Sequence, residues 1–213
     1  LLVLLVSIPK GQTEEDNILD RFLSRESTPV VDYLAIRDIS ASNAKYKMYG
    51  EMRIEARLHN RNLSYRVLSQ TGSGFILGKV LGGLNEEDEE TEKLNPARVA
   101  FTENNYSFTP VGEVNFDLYQ LFSKPRRKEH LLIDGSIFVT PTGDLVRVEG
   151  RLVKNPKLLV RNVYLTRVYD KIMGVTLPVY FESEAQIPWA GPSNLTMRYH
   201  YLSVNGKPVT EAN

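Results

Sequence analysis

Residues 46–59 alternate without a slip between two kinds of side chain. Tyr46, Met48, Gly50, Met52, Ile54, Ala56 and Leu58 are apolar or small; Lys47, Glu51, Arg53, Glu55, Arg57 and His59 between them are charged or polar, and Tyr49 alone is ambiguous. Successive strand side chains point to opposite faces, so this stretch predicts one long strand with an oily face and a wet face. Sliding its register by one residue would bury Lys47, Glu51, Arg53, Glu55 and Arg57, each at a cost of several kcal/mol, so the register is specified by the pattern itself. A chain built around such a strand must supply a sheet with one covered face.

The rest of the chain reads the same way. An amphipathic helix is predicted to start at Thr13 as N-cap, with Glu14, Glu15 and Asp16 in its first turn, and to bury Ile18, Leu19, Phe22 and Leu23 before Thr28-Pro29 stops it. Strands are predicted at 30–39, 46–59 and 63–71, with a hairpin turn at His59-Asn60-Arg61-Asn62. A second helix is predicted over 73–93, presenting Ile76, Leu77, Val80, Leu81 and Leu84 on one face. Gly78, Gly82 and Gly83 each weaken it by about 1 kcal/mol relative to alanine, so packing on a sheet must hold it. Further strands follow at 106–112, 116–123, 129–140, 144–153, 158–170, 175–187 and 195–204, punctuated by turn residues such as Asp134-Gly135, Thr142-Gly143 and Asn205-Gly206. About ten strands with short connections predict a mainly β (α+β) fold: one large curved antiparallel sheet, a barrel or half-barrel, with two covering helices.

Composition excludes several functions. The 26 basic and 26 acidic residues cancel, leaving no basic stripe for nucleic acid. With no cysteine there are no disulfides, thiolate chemistry, zinc knuckles or lipid-modified N-terminal cysteine. His59, His130 and His200 are isolated, no G-x-S-x-G is present, and Gly72-Ser73-Gly74 with Gly78 lacks the βαβ unit a dinucleotide loop needs. Neither a cofactor nor a metal site is expected, and no catalytic residues. The opening run LLVLLVSIP suits the tail of a signal-peptide h-region, with a hydrophobic first strand as the alternative. Residues 1–11 are therefore read as a leader remnant, and 12–213 as a single domain exported to the periplasm.

Two charged runs read as solvated surface. Lys124-Pro125-Arg126-Arg127-Lys128 is a turn between strands, with peripheral contact to anionic lipid headgroups as the second reading. Glu86-Glu87-Asp88-Glu89-Glu90 is a helix end without the spacing of a calcium loop.

The order of parts (leader, amphipathic helix, long hairpin, crossing helix, run of antiparallel strands) resembles the bacterial lipoprotein-localisation factors of the LolA/LolB type. Residues 131–153 (LLIDGSIFVTPTGDLVRVEGRLV) and 169–184 (YDKIMGVTLPVYFESE) are similar to that superfamily in strand style, and residues 35–43, the Gly72-Ser73-Gly74 turn and the Lys124-Pro125-Arg126-Arg127-Lys128 turn resemble envelope proteins of that broad group. The resemblance implies an unclosed barrel whose mouth is plugged by helices, an apolar cavity for acyl chains, and a strand arginine that latches the lid, for which Arg53, Arg57 and Arg66 are the candidates. The apolar faces then have two readings, a filled core or a ligand cavity. In the second, Met48, Met52, Ile54, Leu58, Tyr65, Val67, Val146, Val148, Met197, Tyr199 and Tyr201 line the cavity, and Ile76, Val80 and Leu84 belong to the lid. The expected function is a non-enzymatic periplasmic carrier of lipid or an acylated protein. The alternative is an envelope sensor or protein-interaction subunit with a filled interior.

Overall fold

The computed structural model describes residues 14–26, 28–60, 62–78, 96–154, 161–187 and 191–210. The leader, Thr13, Val80, Leu81, Gly82, Gly83, Leu84 and the acidic run at 86–90 lie outside them. Helix α1 (Glu14–Ser24) precedes ten long strands: β1 (Asp32–Asn43), β2 (Met48–His59), β3 (Asn62–Gly72), β4 (Tyr106–Asn115), β5 (Leu118–Pro125), β6 (Ile133–Val139), β7 (Leu145–Leu152), β8 (Arg161–Ile172), β9 (Val175–Ile187) and β10 (Gly191–Val204). A two-residue strand, β11 (Lys207–Pro208), pairs with the end of β10. Residues 74–78 are helical, and residues 79–93 of the predicted second helix lie outside the described residues.

All strands belong to one antiparallel sheet, ordered β3-β2-β1-β10-β9-β8-β7-β6-β5-β4. The first three strands form a meander; the chain then crosses to the far edge, and β4 to β10 meander back until β10 pairs with β1 over Tyr33↔Val204 to Asn43↔Ser193. The sheet stays open, with β3 and β4 as its edges. Both edges are irregular. A register shift in β3 leaves Leu68 without an opposite residue, and two in β4 do the same for Val111 and Val114. Such bulges, with Pro110 in β4, make poor templates for a further strand.

Alternation in β2 follows the sequence pattern: Gly50, Met52, Ile54 and Ala56 are buried, while Glu51, Arg53 and Arg57 are exposed. Helix α1 covers the β5–β8 half of the inner face. Ile18 and Phe22 pack there with Leu121, Ile137, Val139, Val148 and Leu165. The β6–β7 pairing is tight enough that Gly135 and Gly150 face each other.

Tyr106 anchors the start of β4 from inside. It is fully buried, and its hydroxyl accepts a hydrogen bond from the Ile133 N–H at 3.3 Å. Burial pushes that hydroxyl up to about 12. The folded protein therefore holds this proton more tightly than the unfolded chain, whose tyrosines titrate near about 10. This contribution is fully present below pH about 10 and is lost as the pH rises toward about 12, at about 1.4 kcal/mol per unit. Urea unfolding across that range should show the decline; a flat profile would mean that water reaches the hydroxyl.

Candidate functional site

The other half of the inner face, on β1, β2, β3 and β10, is built differently. Ile39 stands opposite Met52 on one side and Met197 on the other, and Met197 stands opposite Phe181. Ile39, Met52, Met197, Ile54 and Leu77 form a buried strip, flanked by the half-buried rings of Tyr65, Phe181 and Tyr199. The covering group is the helical segment at 74–78, seated on Gly50. A Cβ at Gly50 would lie 3.0 Å from Leu77 Cδ2 and 3.3 Å from Ile76 Cγ2, so only glycine admits this approach without a shift. The Ser73 N–H donates to the Tyr49 carbonyl at 2.7 Å, and the Ser73 hydroxyl donates to Met48 Sδ at 3.7 Å, tying the segment to the start of β2.

The sequence-predicted cavity residues are therefore divided. Met52, Ile54 and Met197 come together, with Tyr65 and Tyr199 against them; Ile76 and Leu77 cover them, while Val80 and Leu84 lie outside the described residues. Met48 is half-buried beside Ser73, and Leu58 is half-buried near the far end of β2. Val67 stands opposite Ile54 but is 41% exposed at the sheet edge. Val148 sits beneath α1, in the other half of the interior. Tyr201 belongs to a third cluster with Ala35, Val175, Leu177 and Val204. Val146 requires a correction: a bulge in β7 leaves it without an opposite residue, half-buried and outside these clusters, while Leu145 takes the core position. Uniform alternation, which ties Val146 to Val148, cannot foresee an inserted residue.

The arginine candidates also need correction. Arg53, Arg57 and Arg66 are all exposed on the outer face; Arg53 meets Asp38 at 3.6 Å and Arg66 meets Glu55 at 2.9 Å. Among the described residues, the buried strand arginine is Arg37 on β1, 7% exposed, between Ile54 and Tyr199 in the register. It donates through Nη2 to the Tyr33 hydroxyl at 2.6 Å and through Nη1 to the Tyr65 hydroxyl at 3.3 Å. Its guanidinium carbon lies 5.3 Å from the Tyr65 ring centre and 5.1 Å from that of Tyr199. Burial alone would lower its pKa, but the oxygens of Tyr33, Tyr65 and Tyr199 outweigh this and hold it above the ordinary arginine range. Each ring face contributes up to about 2 kcal/mol and each charged hydrogen bond about 1.5–3 kcal/mol, against several kcal/mol for burying a cation. The signal was present in the sequence: Arg37 shares parity with Ala35, Ile39 and Ala41, all buried.

The outer face of the same strands is polar. A hollow of about 410 Å³ there is lined by Asp38, Ser40, Glu51, Arg53, Thr71 and Arg198 among others. His200 meets Asp38 at 3.2 Å beside it. Among the described residues, no group of His, Asp and Glu could hold a metal ion. None of their helices is long and apolar enough to cross a membrane.

The KPRRK run is not a plain solvated turn. Arg126 Nε donates to the carbonyls of Glu103 (2.7 Å) and Tyr106 (3.1 Å), and Arg127 donates to the Arg98 carbonyl (2.6 Å) and Asn105 Oδ1 (2.8 Å). Asn105, buried, in turn donates to the carbonyls of Ala97 and Ala100. Two of the four cations thus fasten the end of the crossing segment to the sheet. The hydrogen bond from Arg127, with Arg98 beside it, holds the Glu129 carboxyl below the usual carboxylate range. An exposed apolar feature that the sequence reading did not single out is the β4–β5 hairpin. Phe116 at its tip is fully exposed, and Val111, Val114 and Phe122 are 42%, 40% and 51% exposed.

No family model matches the chain, and no curated protein matches it in sequence. A similar solved structure is the crystal structure of a DUF1329 family protein from Desulfovibrio piger, 10% identical, with 94% of this chain and 92% of that one covered and a TM-score of 0.38. A likeness at that level carries no argument about what this chain does.

Proposed function

We propose that this protein is a non-enzymatic carrier of acyl chains, working in the periplasm on a lipid or an acylated protein, in the manner of the lipoprotein-localisation factors. The observation that carries the reading is the buried strip of Ile39, Met52, Ile54 and Met197, covered by Ile76 and Leu77 from a helical segment rather than by another sheet. The strip runs toward an open edge, where Val67 and Leu68 are 41% and 42% exposed. Displacing the segment from Gly50 would uncover methionine and tyrosine side chains that adapt to a flexible chain. Each methylene buried there contributes about 0.8 kcal/mol before the cost of ordering the ligand. The apolar opening run supports export.

The test is native purification followed by mass spectrometry of an organic extract, with uptake of a fluorescent fatty-acid probe measured in parallel. Roughly one acyl lipid per protein, exchangeable for the probe, is the expected result. An empty extract with no probe uptake would remove the carrier reading. The second reading, an envelope interaction subunit, draws support from the β4–β5 hairpin, whose exposed Phe116 is a ready contact for another surface. A stoichiometric protein partner recovered from envelope extract, with no lipid, would favour it.

A further inference from the structure

Within the carrier reading, on which this inference rests, the inner face carries a cation that no acid among the described residues neutralises. The described ion pairs engage Asp38, Glu55, Glu129, Asp144 and Glu149, and none of them involves Arg37. Asp38, its neighbour in sequence, points to the opposite face and is taken by Arg53 and His200. The Arg37 Nε–H is buried and has no hydrogen-bond partner, although both Nη atoms are engaged by tyrosine hydroxyls. Tyrosines hold the guanidinium in place without cancelling its charge.

Its position relative to the apolar strip gives that charge a use. Arg37 lies two residues along β1 from Ile39, on the same face, so it sits about 6–7 Å from the Met52–Ile39–Met197 row. Beyond it the paired residues are Ala35 and Ala56, both small, with Tyr65 and Tyr201 at their sides in the register. An oily strip that ends at a buried, fixed guanidinium with no acidic partner among the described residues is complementary to a molecule with an acyl chain at one end and a negative oxygen group at the other.

We propose that the cargo is an anionic amphiphile, with its carboxylate or phosphate oxygens bound at Arg37 and its chain lying on the Ile39–Met52–Met197 strip. The Nε–H is the donor that remains for the head group, and the charge sets the preference for an anion over a neutral polar head.

The delipidated wild-type protein decides the matter by isothermal titration with oleate, oleyl alcohol and acetate. Oleate should bind about tenfold or more tightly than oleyl alcohol, as a charged hydrogen bond implies, and acetate should not compete at the same concentrations. Arg37→Gln should bring oleate and the alcohol to equal affinity. Equal affinities in the wild type would overturn the anchor while leaving the carrier reading intact. Acetate binding as tightly as oleate would overturn the amphiphile and indicate a small-anion site. If neither oleate nor the alcohol binds, the carrier reading fails and the anchor with it. The wild-type comparison stands even if the variant does not fold.

Discussion

Phe22→Ala is expected to lower the free energy of unfolding by about 3–5 kcal/mol, the cost of emptying a fully buried aromatic site. Phe22 is completely buried, and its ring meets Phe108 edge-on at 5.9 Å and Phe101 at 6.4 Å, with the Arg25 guanidinium carbon 4.0 Å from its centre. Removing the ring leaves a void among Leu121, Ile137 and Val148, which backbone pairing prevents from collapsing. It also releases α1, an 11-residue helix too short to persist in water without its apolar stripe. Urea denaturation followed by far-ultraviolet circular dichroism measures the loss. A change below about 1 kcal/mol would mean that α1 is not part of the core.

Gly135→Ala should cost about 3 kcal/mol or more, at the upper end of what overpacking does. A Cβ there would lie 2.0 Å from the Glu149 carbonyl oxygen and 2.6 Å from Gly150 Cα. Both are backbone atoms in the paired strand, so no side-chain rotation can relieve the overlap. The β6–β7 ladder must open at that point, beside Ile133 and Ile137, which pack under α1. Hydrogen exchange should show amides of 133–139 and 145–152 losing protection before those of β1 and β2. Unchanged protection in β6 and β7 would mean that the two strands can separate locally without penalty.

These two substitutions probe the half of the interior that is filled, and they separate it from the half proposed to take a ligand. The apolar faces read in the sequence do not share one destination. Val148 serves the core under α1, Met52 and Met197 lie beneath the helical segment at 74–78, and Tyr201 closes a third cluster where its hydroxyl donates to the Pro178 carbonyl at 2.9 Å. Burial of Tyr201 pushes its hydroxyl pKa upward, as burial does for Tyr106. A reading from one strand at a time assigns a side chain to the covered face but not to what covers it.

Much of the fold was legible. His59 pairs with Asn62 at the predicted hairpin, with Asn60 at a φ of 49°, and the predicted strand at 175–187 coincides with β9. The antiparallel sheet follows from the alternation and from the turn residues, both written within a few neighbouring positions. Less legible were the ends of β1, which runs four residues past Ile39 because Ala41 and Asn43 are also buried on its inner face. The KPRRK run read as free charge because its partners are mostly backbone carbonyls, which leave no mark in a sequence.

The amino-acid order by itself determined where most strands run and, where no bulge interrupts the pairing, which parity is buried, because side-chain alternation is a property of adjacent residues. Tertiary structure alone decided that β10 returns to lie against β1, that an inserted residue puts Leu145 and not Val146 in the core, and that Arg37 is enclosed by tyrosines from β1, β3 and β10. Those outcomes depend on pairings between segments more than a hundred residues apart for β1 and β10, whose energy is set by the assembled sheet and not by any local preference.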